Sequence, residues 1–404
     1  MGCGPMIGAS KVQMDENLLE EIQVSTGSIN VMDISEDRSL LFLGDDRGIG
    51  YLLSSFSKPV EMLGKLVGHK AGITCSTISG LYVYTGSIDN SIRKWSIETM
   101  ECIYTYQGHE SKVNRLIFRG NLLFSTSYDK TAKVWLTGMT DEMEEVVTAN
   151  LLNPCLRTLK GHTKSVYPVI FIPLEISFTN SLINERDLVV TGSVDCTIRI
   201  WSLKYSECLK VLTDHSGPIY NIILDPMNST QFISSAGDGM ILCWDSITGE
   251  ILHTMKGHQG PVISIYAHKR ILFSGSADKT ARAWVLEFGQ CTRVFENTAG
   301  VAQIQYYNGM VSAGLSDGKT NIFDSKSGVL KESFPGNFEV LTGLKCAGQR
   351  VFTCGISGKL CVWDTSGIQD DTIFGKRVVE EIDEEDDSED VKTAIRVVDK
   401  YFRH

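Results

Sequence analysis

Five times along this chain a histidine, a hydroxyl residue and an aspartate recur at spacings that would suit hydrolytic chemistry. The sets are His69/Thr85/Asp89, His109/Ser125/Asp129, His162/Thr191/Asp195, His215/Ser234/Asp238 and His258/Ser274/Asp278. In a hydrolase of this type the imidazole takes the hydroxyl proton, and the carboxylate fixes the ring's tautomer and orientation. Here, however, each set closes on an indole six residues past its aspartate: Trp95, Trp135, Trp201, Trp244 and Trp284. An enzyme needs one nucleophile beside a pocket and a site for the developing oxyanion. Five equivalent sets fit a structural relay instead, in which Asp fixes His and His fixes the hydroxyl. Truncating Trp201 is then expected to damage folding rather than chemistry.

The elements that would hold these sets are repeats. Residues 272–284, LFSGSADKTARAW, have close relatives in LYVYTGSIDNSIRKW, LLFSTSYDKTAKVW and LVVTGSVDCTIRIW. Two further copies end at Phe323 and Trp363, each followed by Asp, and a worn copy, LFLGDDRGIGYLL, ends at Leu53. The eight end points, 53, 95, 135, 201, 244, 284, 323 and 363, are spaced close to 40 residues apart except across the longer fourth unit. That period, with Gly-His early and Trp-Asp late, marks a four-stranded propeller blade. Short alternating runs such as Ala-Arg-Ala-Trp, bounded by Gly, Asp, Asn and Ser, read as strands joined by tight turns. One such sheet alone would leave apolar faces and an open edge, so the repeats need one another.

On these motifs the sequence resembles the WD-repeat β-propeller family from about Glu16 to Asp364. The resemblance implies an all-β fold: a single closed propeller of eight four-stranded blades, or seven if a worn unit forms none. A strand near Leu18 to Val24 would complete the last blade and close the ring. The expected organisation is a flexible N-terminus over 1–15, the propeller over 16–367 and an acidic tail over 368–404. The family's usual work implies a non-catalytic scaffold or adaptor for other proteins or peptides, without cofactor or metal. A substrate receptor of a ubiquitin ligase is the alternative. It is weakened by the short stretch before the propeller and by Ile247 and Ser366 standing where a Trp-Asp-x-Arg signature would need arginine. An enzyme is the remaining alternative, and it lacks an unrepeated nucleophile, metal-ligand spacing or a phosphate loop.

Carried over position by position, the family's partner-binding rim would include Lys112, Asn114, Tyr128, Tyr167 and Tyr220. Tyrosines offer large contact area at low entropy cost, which suits a binding hot spot. Three units are worn: Leu43, Arg47 and Leu53 replace the hydroxyl, Asp and Trp of the first, Asn297, Ala313 and Phe323 alter the seventh, and Asn337 and Ser357 the eighth. In a closed ring these three become consecutive, which is the pattern of drift at a seam held by strand exchange. Two inserts of 13 residues flank the start of the fourth blade, one acidic (Asp141, Glu142, Glu144, Glu145) and one within FIPLEISFTNSLINERD, both on the face away from the Gly-His loops.

Composition fits one large repeat domain. The 404 residues are 42% hydrophobic, and repeat stacks extend a core blade by blade. Eleven cysteines without a Cys-x-x-Cys suggest reduced thiols and a cytoplasmic or nuclear location. No apolar run approaches membrane-spanning length. The net charge of −11 includes nine carboxylates within residues 380–390, EEIDEEDDSED, leaving −2 on the remainder. A nearly neutral propeller argues against nucleic acid, which demands a basic footprint. Beyond the acidic tract, Val391, Ile395, Val398 and Phe402 share one helical face, with Lys392, Arg396, Lys400 and Arg403 as its basic complement. Gly2 and Cys3 would suit acylation, but Met6 stands where the myristoylation pattern asks for Ser or Thr. A monomer is expected.

Overall fold

The computed structural model describes residues 17–138, 154–173, 183–336 and 340–368. Within them lie 32 strands in eight antiparallel four-stranded sheets, and no helix. Blades 1 to 7 cover 29–67, 73–106, 113–160, 166–212, 219–255, 262–296 and 301–334, each pairing strands a, b, c and d in chain order. Blade 8 takes strands a to c from 341–364 and its fourth strand from the other end of the chain, β1 (Leu18–Gln23). The a strands of neighbouring blades touch all the way round, including blade 8 against blade 1, so the sheets form a closed ring. All three worn units form blades, which excludes the seven-bladed arrangement.

Burial follows position in the blade. The b strands Leu122–Ser127 and Leu188–Ser193 are buried at every residue, because a neighbouring blade covers each face. The d strands are mostly exposed but carry a buried residue at or near their end. That buried residue, last or next to last in its strand, is the partner of the next blade's indole. Leu66 shares an apolar cluster with Trp95, Leu159 with Trp201, Leu212 with Trp244 and Met255 with Trp284. Tyr106 meets Trp135 edge-on at 5.7 Å, and Phe334 stacks on Trp363 at 4.7 Å. Worn junctions keep the plug with other side chains: Phe295 packs on Phe323 at 5.2 Å, and Val24 shares its cluster with Leu53. The repeat's tryptophan therefore works between blades, and a Phe or Leu fills the same gap.

Turn geometry explains how a worn unit still folds. The residue after the turn position, which is an aspartate in six blades and Arg47 or Ser357 in blades 1 and 8, has positive φ in all eight: Gly48, Asn90, Lys130, Cys196, Gly239, Lys279, Gly318 and Gly358. A side chain there costs roughly 1–2 kcal/mol. Blades 2, 3, 4 and 6 accept that cost, whereas the worn blades 1, 7 and 8, like blade 5, place glycine there and avoid it.

Polar bonds between a strands add a second closure. Asn30 Nδ2 donates to the Ile73 carbonyl (3.3 Å), Thr74 Oγ1 to Val113 (2.5 Å), Asn114 Nδ2 to Val166 (2.7 Å), Asn221 Nδ2 to Ile263 (2.5 Å) and Thr342 Oγ1 to Ile29 (2.6 Å). Each bond crosses from one blade to the next. At the seam, Val24 and Ser25 N–H groups donate to the Gly358 carbonyl, and Asp364 N–H donates to Asn17. Arg38, in the a–b turn of blade 1, reaches the Cys346 carbonyl of blade 8 at 2.8 Å and lies 4.2 Å from the Tyr307 ring of blade 7. One guanidinium thus ties together the three worn blades.

Candidate functional site

In each of the five repeated sets the side chains are joined by hydrogen bonds. In blade 3, Trp135 Nε1 donates to Ser125 Oγ (2.7 Å), Ser125 Oγ meets His109 Nε2 (2.7 Å), and His109 Nδ1 meets Asp129 Oδ2 (2.6 Å). Blade 2 repeats this through Trp95, Thr85, His69 and Asp89, each link 2.8 Å. Blade 4 uses Trp201, Thr191, His162 and Asp195 at 2.8, 2.9 and 3.0 Å. Blade 5 uses Trp244, Ser234, His215 and Asp238 at 2.8, 2.8 and 2.9 Å. Blade 6 uses Trp284, Ser274, His258 and Asp278, each link 2.8 Å.

Donor logic fixes the protons. An indole N–H only donates and a carboxylate only accepts. A neutral ring in this place gives its Nδ1 proton to the aspartate and accepts the hydroxyl proton at Nε2, while the hydroxyl oxygen accepts from the indole. The aspartates accept further bonds: Asp89 Oδ2 takes the Lys70 N–H at 2.9 Å and Asp89 Oδ1 the Ser91 N–H at 2.9 Å. Burial opposes ionisation of Asp89, yet the bonds from His69, Ser91 and Lys70 outweigh it and hold the carboxyl well below the usual range. The same balance puts Asp278 at about 2 and lowers Asp129, Asp195 and Asp238. Burial lowers the pKa of His162 and His258 against the pull of their aspartates, so those rings stay neutral.

This arrangement is the wrong way round for hydrolysis. Thr85, Ser125, Thr191, Ser234 and Ser274 have no solvent exposure, and each hydroxyl is already bonded to both an indole and an imidazole. A nucleophile must reach a substrate. These ones face only the inside of a blade.

In blades 1 and 7 the polar core is rebuilt. Asp45, fully buried, stands two residues before the turn position and accepts from Ser25 Oγ (2.8 Å), Tyr51 OH (3.1 Å) and Arg47 Nη2 (3.2 Å), besides the N–H groups of Arg47 (3.0 Å) and Ile49 (2.8 Å). Arg47, in the aspartate's place, reaches back to serve a carboxylate displaced by two residues. In blade 7, Asn297 accepts from Asn321 Nδ2 at 2.8 Å, a link to strand c in place of one to the turn. Blade 8 keeps half a relay, Trp363 Nε1 to Thr353 Oγ1 at 2.8 Å. Asp45 carried no repeat signal because it lies off the relay's register.

The expected rim residues all map to the Gly-His face, where d–a and b–c loops meet the a strands. Tyr128, Tyr167 and Tyr220 are 56%, 37% and 42% exposed. Lys112 Nζ lies 5.4 Å from the Tyr128 ring centre. Asn114 does a second job: its Nδ2 donates to Ser165 Oγ (2.9 Å) and to the Val166 carbonyl, which joins blades 3 and 4. That bond, with Thr126 Oγ1 to the Tyr167 carbonyl at 2.7 Å, sets the blade 4 loop beside the blade 3 rim. Asn114, Tyr167 and Tyr220 line one cavity of about 360 Å3 on the channel wall, together with Arg115, Arg119 and Ile117. Its size falls within the range of ligand-binding clefts.

Among the described residues no helix is long and apolar enough to cross a membrane, and no group of His, Cys, Asp and Glu could hold a metal ion. Gly2 and Cys3, the acidic insert, most of the second insert, Asn337, the 380–390 tract and the C-terminal segment lie outside the described residues.

The family model described as "WD domain, G-beta repeat" matches residues 60–96, 100–135, 153–202, 206–245 and 249–284. Each matched stretch holds one complete relay. An uncharacterized WD repeat-containing protein of Schizosaccharomyces pombe is 26% identical over 265 residues, 55% of this chain and 69% of that protein. The CCR4-associated factor 4 homolog of Candida glabrata is 27% identical over 46% of this chain and 33% of its own length. WD repeat-containing protein pop2 of S. pombe is 32% identical over 40% of this chain and 24% of its own length. The chain thus spans about a third or less of those last two relatives. Among solved structures, the computationally designed Ika8 protein aligns with a TM-score of 0.72 at 23% identity, over 86% of this chain and 99% of that one. Sqt1 of Saccharomyces cerevisiae aligns with a TM-score of 0.74 at 16% identity, over 87% and 99%. These likenesses show the fold. With five matched repeats, eight blades and a relay in every matched stretch, the chain belongs to the WD-repeat family of β-propellers.

Proposed function

We propose that this protein is a non-catalytic scaffold that binds other proteins or peptides through the Gly-His face of blades 3 to 5. The observation that carries the reading is the exposure of Tyr128, Tyr167 and Tyr220 around one mouth of the channel, with Lys112 beside Tyr128. Aromatic rings on rigid strand ends give a pre-ordered contact surface, which lowers the entropy cost of binding. The non-enzymatic reading is supported by the committed and buried hydroxyls of the five relays. A reducing compartment, cytoplasmic or nuclear, fits eleven cysteines with no framework spacing. The near-neutral propeller favours protein over nucleic acid as partner.

Proximity labelling in cells tests the reading, comparing the full chain with a Tyr128→Ser/Tyr167→Ser/Tyr220→Ser variant. The expected result is loss of a discrete group of neighbours at unchanged melting temperature. Identical neighbour lists would remove the rim from consideration.

A further inference from the structure

The channel wall has a charge asymmetry that the composition conceals. Across the eight a strands, 29–34, 73–79, 113–119, 166–172, 219–224, 262–268, 301–307 and 341–347, the formally charged residues are Asp33, Arg115, Arg119 and Lys345. Asp33 and Lys345 pair with each other at 3.5 Å. Arg115 and Arg119 remain, both on the a strand of blade 3, both exposed, and neither forms an ion pair with a described residue. A chain of net charge −11 thus lines its channel with two uncompensated guanidinium groups.

The mouth above that strand continues the pattern. Lys112, Lys130 and Lys164 lie in the d–a and b–c loops of blades 3 and 4, and none of them is in an ion pair with a described residue; the exposed acids of the neighbouring d–a loops are Glu110 and Asp214, while Asp129, Asp195 and Asp238 are bonded within their relays. Lys112 lies 5.4 Å from the Tyr128 ring centre, and Arg115 and Arg119 share the 360 Å3 cavity with Tyr167 and Tyr220, in a lining that holds no carboxylate. A cleft lined by one sign of charge between low-dielectric walls concentrates its field. Arginine's planar fork matches a carboxylate with two parallel hydrogen bonds.

We infer that the partner segment taken by this rim is an acidic peptide, whose aromatic or aliphatic side chains pack on the three tyrosines and whose carboxylates reach Arg115 and Arg119 in the channel. This rests on the rim reading above and adds the partner's chemistry to it.

The test uses the full chain and short fluorescein-labelled peptides matched in length and apolar content. One set is rich in glutamate, one neutral and one rich in lysine, and single-stranded DNA of equal length is the competing polyanion. Fluorescence anisotropy is expected to rank the glutamate-rich set first and the lysine-rich set last, with the preference fading as salt rises. In an Arg115→Gln/Arg119→Gln variant the glutamate-rich set should weaken about ten-fold, to the level of the neutral set. The Tyr128→Ser/Tyr167→Ser/Tyr220→Ser variant should lose the neutral and acidic sets alike. Equal binding of neutral and acidic sets, a preference that survives the arginine changes, DNA bound ahead of peptide, or no peptide bound would each overturn the inference. Loss of acid preference in the arginine variant with the tyrosine variant unaffected would remove the tyrosine rim and leave the channel charge standing.

Discussion

Thr342 Oγ1 donates to the Ile29 carbonyl at 2.6 Å, and so joins the innermost strand of the last blade to that of the first. The partners are 313 residues apart in sequence, because closing the ring brings the last a strand beside the first. Thr74 makes the equivalent bond to Val113 between blades 2 and 3. Thr342→Val keeps shape and removes the donor, so it should cost about 1 kcal/mol. Thr74→Val should cost a similar amount. Urea unfolding at unchanged m-value reads both, and wild-type stability for Thr342→Val would show that closure rests on β1 and the apolar plug alone.

The relay of blade 4 offers a sharper test of structure against chemistry. Thr191→Val leaves both Trp201 Nε1 and His162 Nε2 without their shared partner inside the protein. Each orphaned group costs about 1–3 kcal/mol, so the variant should lose more than the loss of one hydrogen bond predicts. Trp201→Ala removes the plug between blades 3 and 4 as well, and should cost about 3–5 kcal/mol. Calorimetric melting of the two variants checks the order. A Trp201→Ala protein that melts with the wild type would contradict the inter-blade role.

Much of this architecture was legible in residues that repeat. His69, Asp89 and Trp95 could be aligned with four other sets because each blade needs the same bonds at the same register. The strand near Leu18 and the adjacency of the worn units followed from closing a ring. What stayed hidden is what does not recur in register. Asp45 lies two residues from the turn position, so alignment to the repeat shows only the loss at Arg47. The inter-blade role of Asn114 was also hidden, because sequence gives its place on the strand but not the carbonyl of the next blade in front of it. The pairing of Asp33 with Lys345, which leaves Arg115 and Arg119 uncompensated, depends on blades 8 and 1 meeting in space.

Acid should weaken the protein in two stages. His162 and His258 are held neutral by burial, so their native pKa values lie below the ordinary 6.5. Below about pH 6.5 the unfolded chain takes up protons that these native rings refuse, and stability falls at up to about 1.4 kcal/mol per pH unit for each. The aspartates act in the same direction at lower pH, since Asp278 near 2 and its lower-lying counterparts stay ionised after the unfolded carboxyls near 3.9 have protonated. In both stages the unfolded state binds more protons, so stability rises with pH and levels off above about 6.5–7. Denaturant midpoints from pH 4 to 8 should show the first stage, and a flat profile would mean that the rings titrate normally.

Asp45 tests whether the worn first blade has a working replacement for the relay. Its side chain is fully buried and receives Ser25, Tyr51, Arg47 and two backbone N–H groups. Burial opposes its charge, but the Ile49 N–H, Ser25 and Tyr51 outweigh that and lower its pKa. Asp45→Asn preserves size but turns one acceptor oxygen into an NH2 facing donors. At least one donor must then lose its acceptor inside the protein, at about 1–3 kcal/mol for each group stranded. Arg47→Ala should cost less, because 46% of its side chain is exposed and an exposed ion pair contributes about 0–1 kcal/mol. The expected order is therefore Asp45→Asn well above Arg47→Ala, measured by urea unfolding at neutral pH. If both variants match the wild type, the first blade is held by the Val24 and Leu53 plug and by β1, and its polar cluster contributes nothing to the seam.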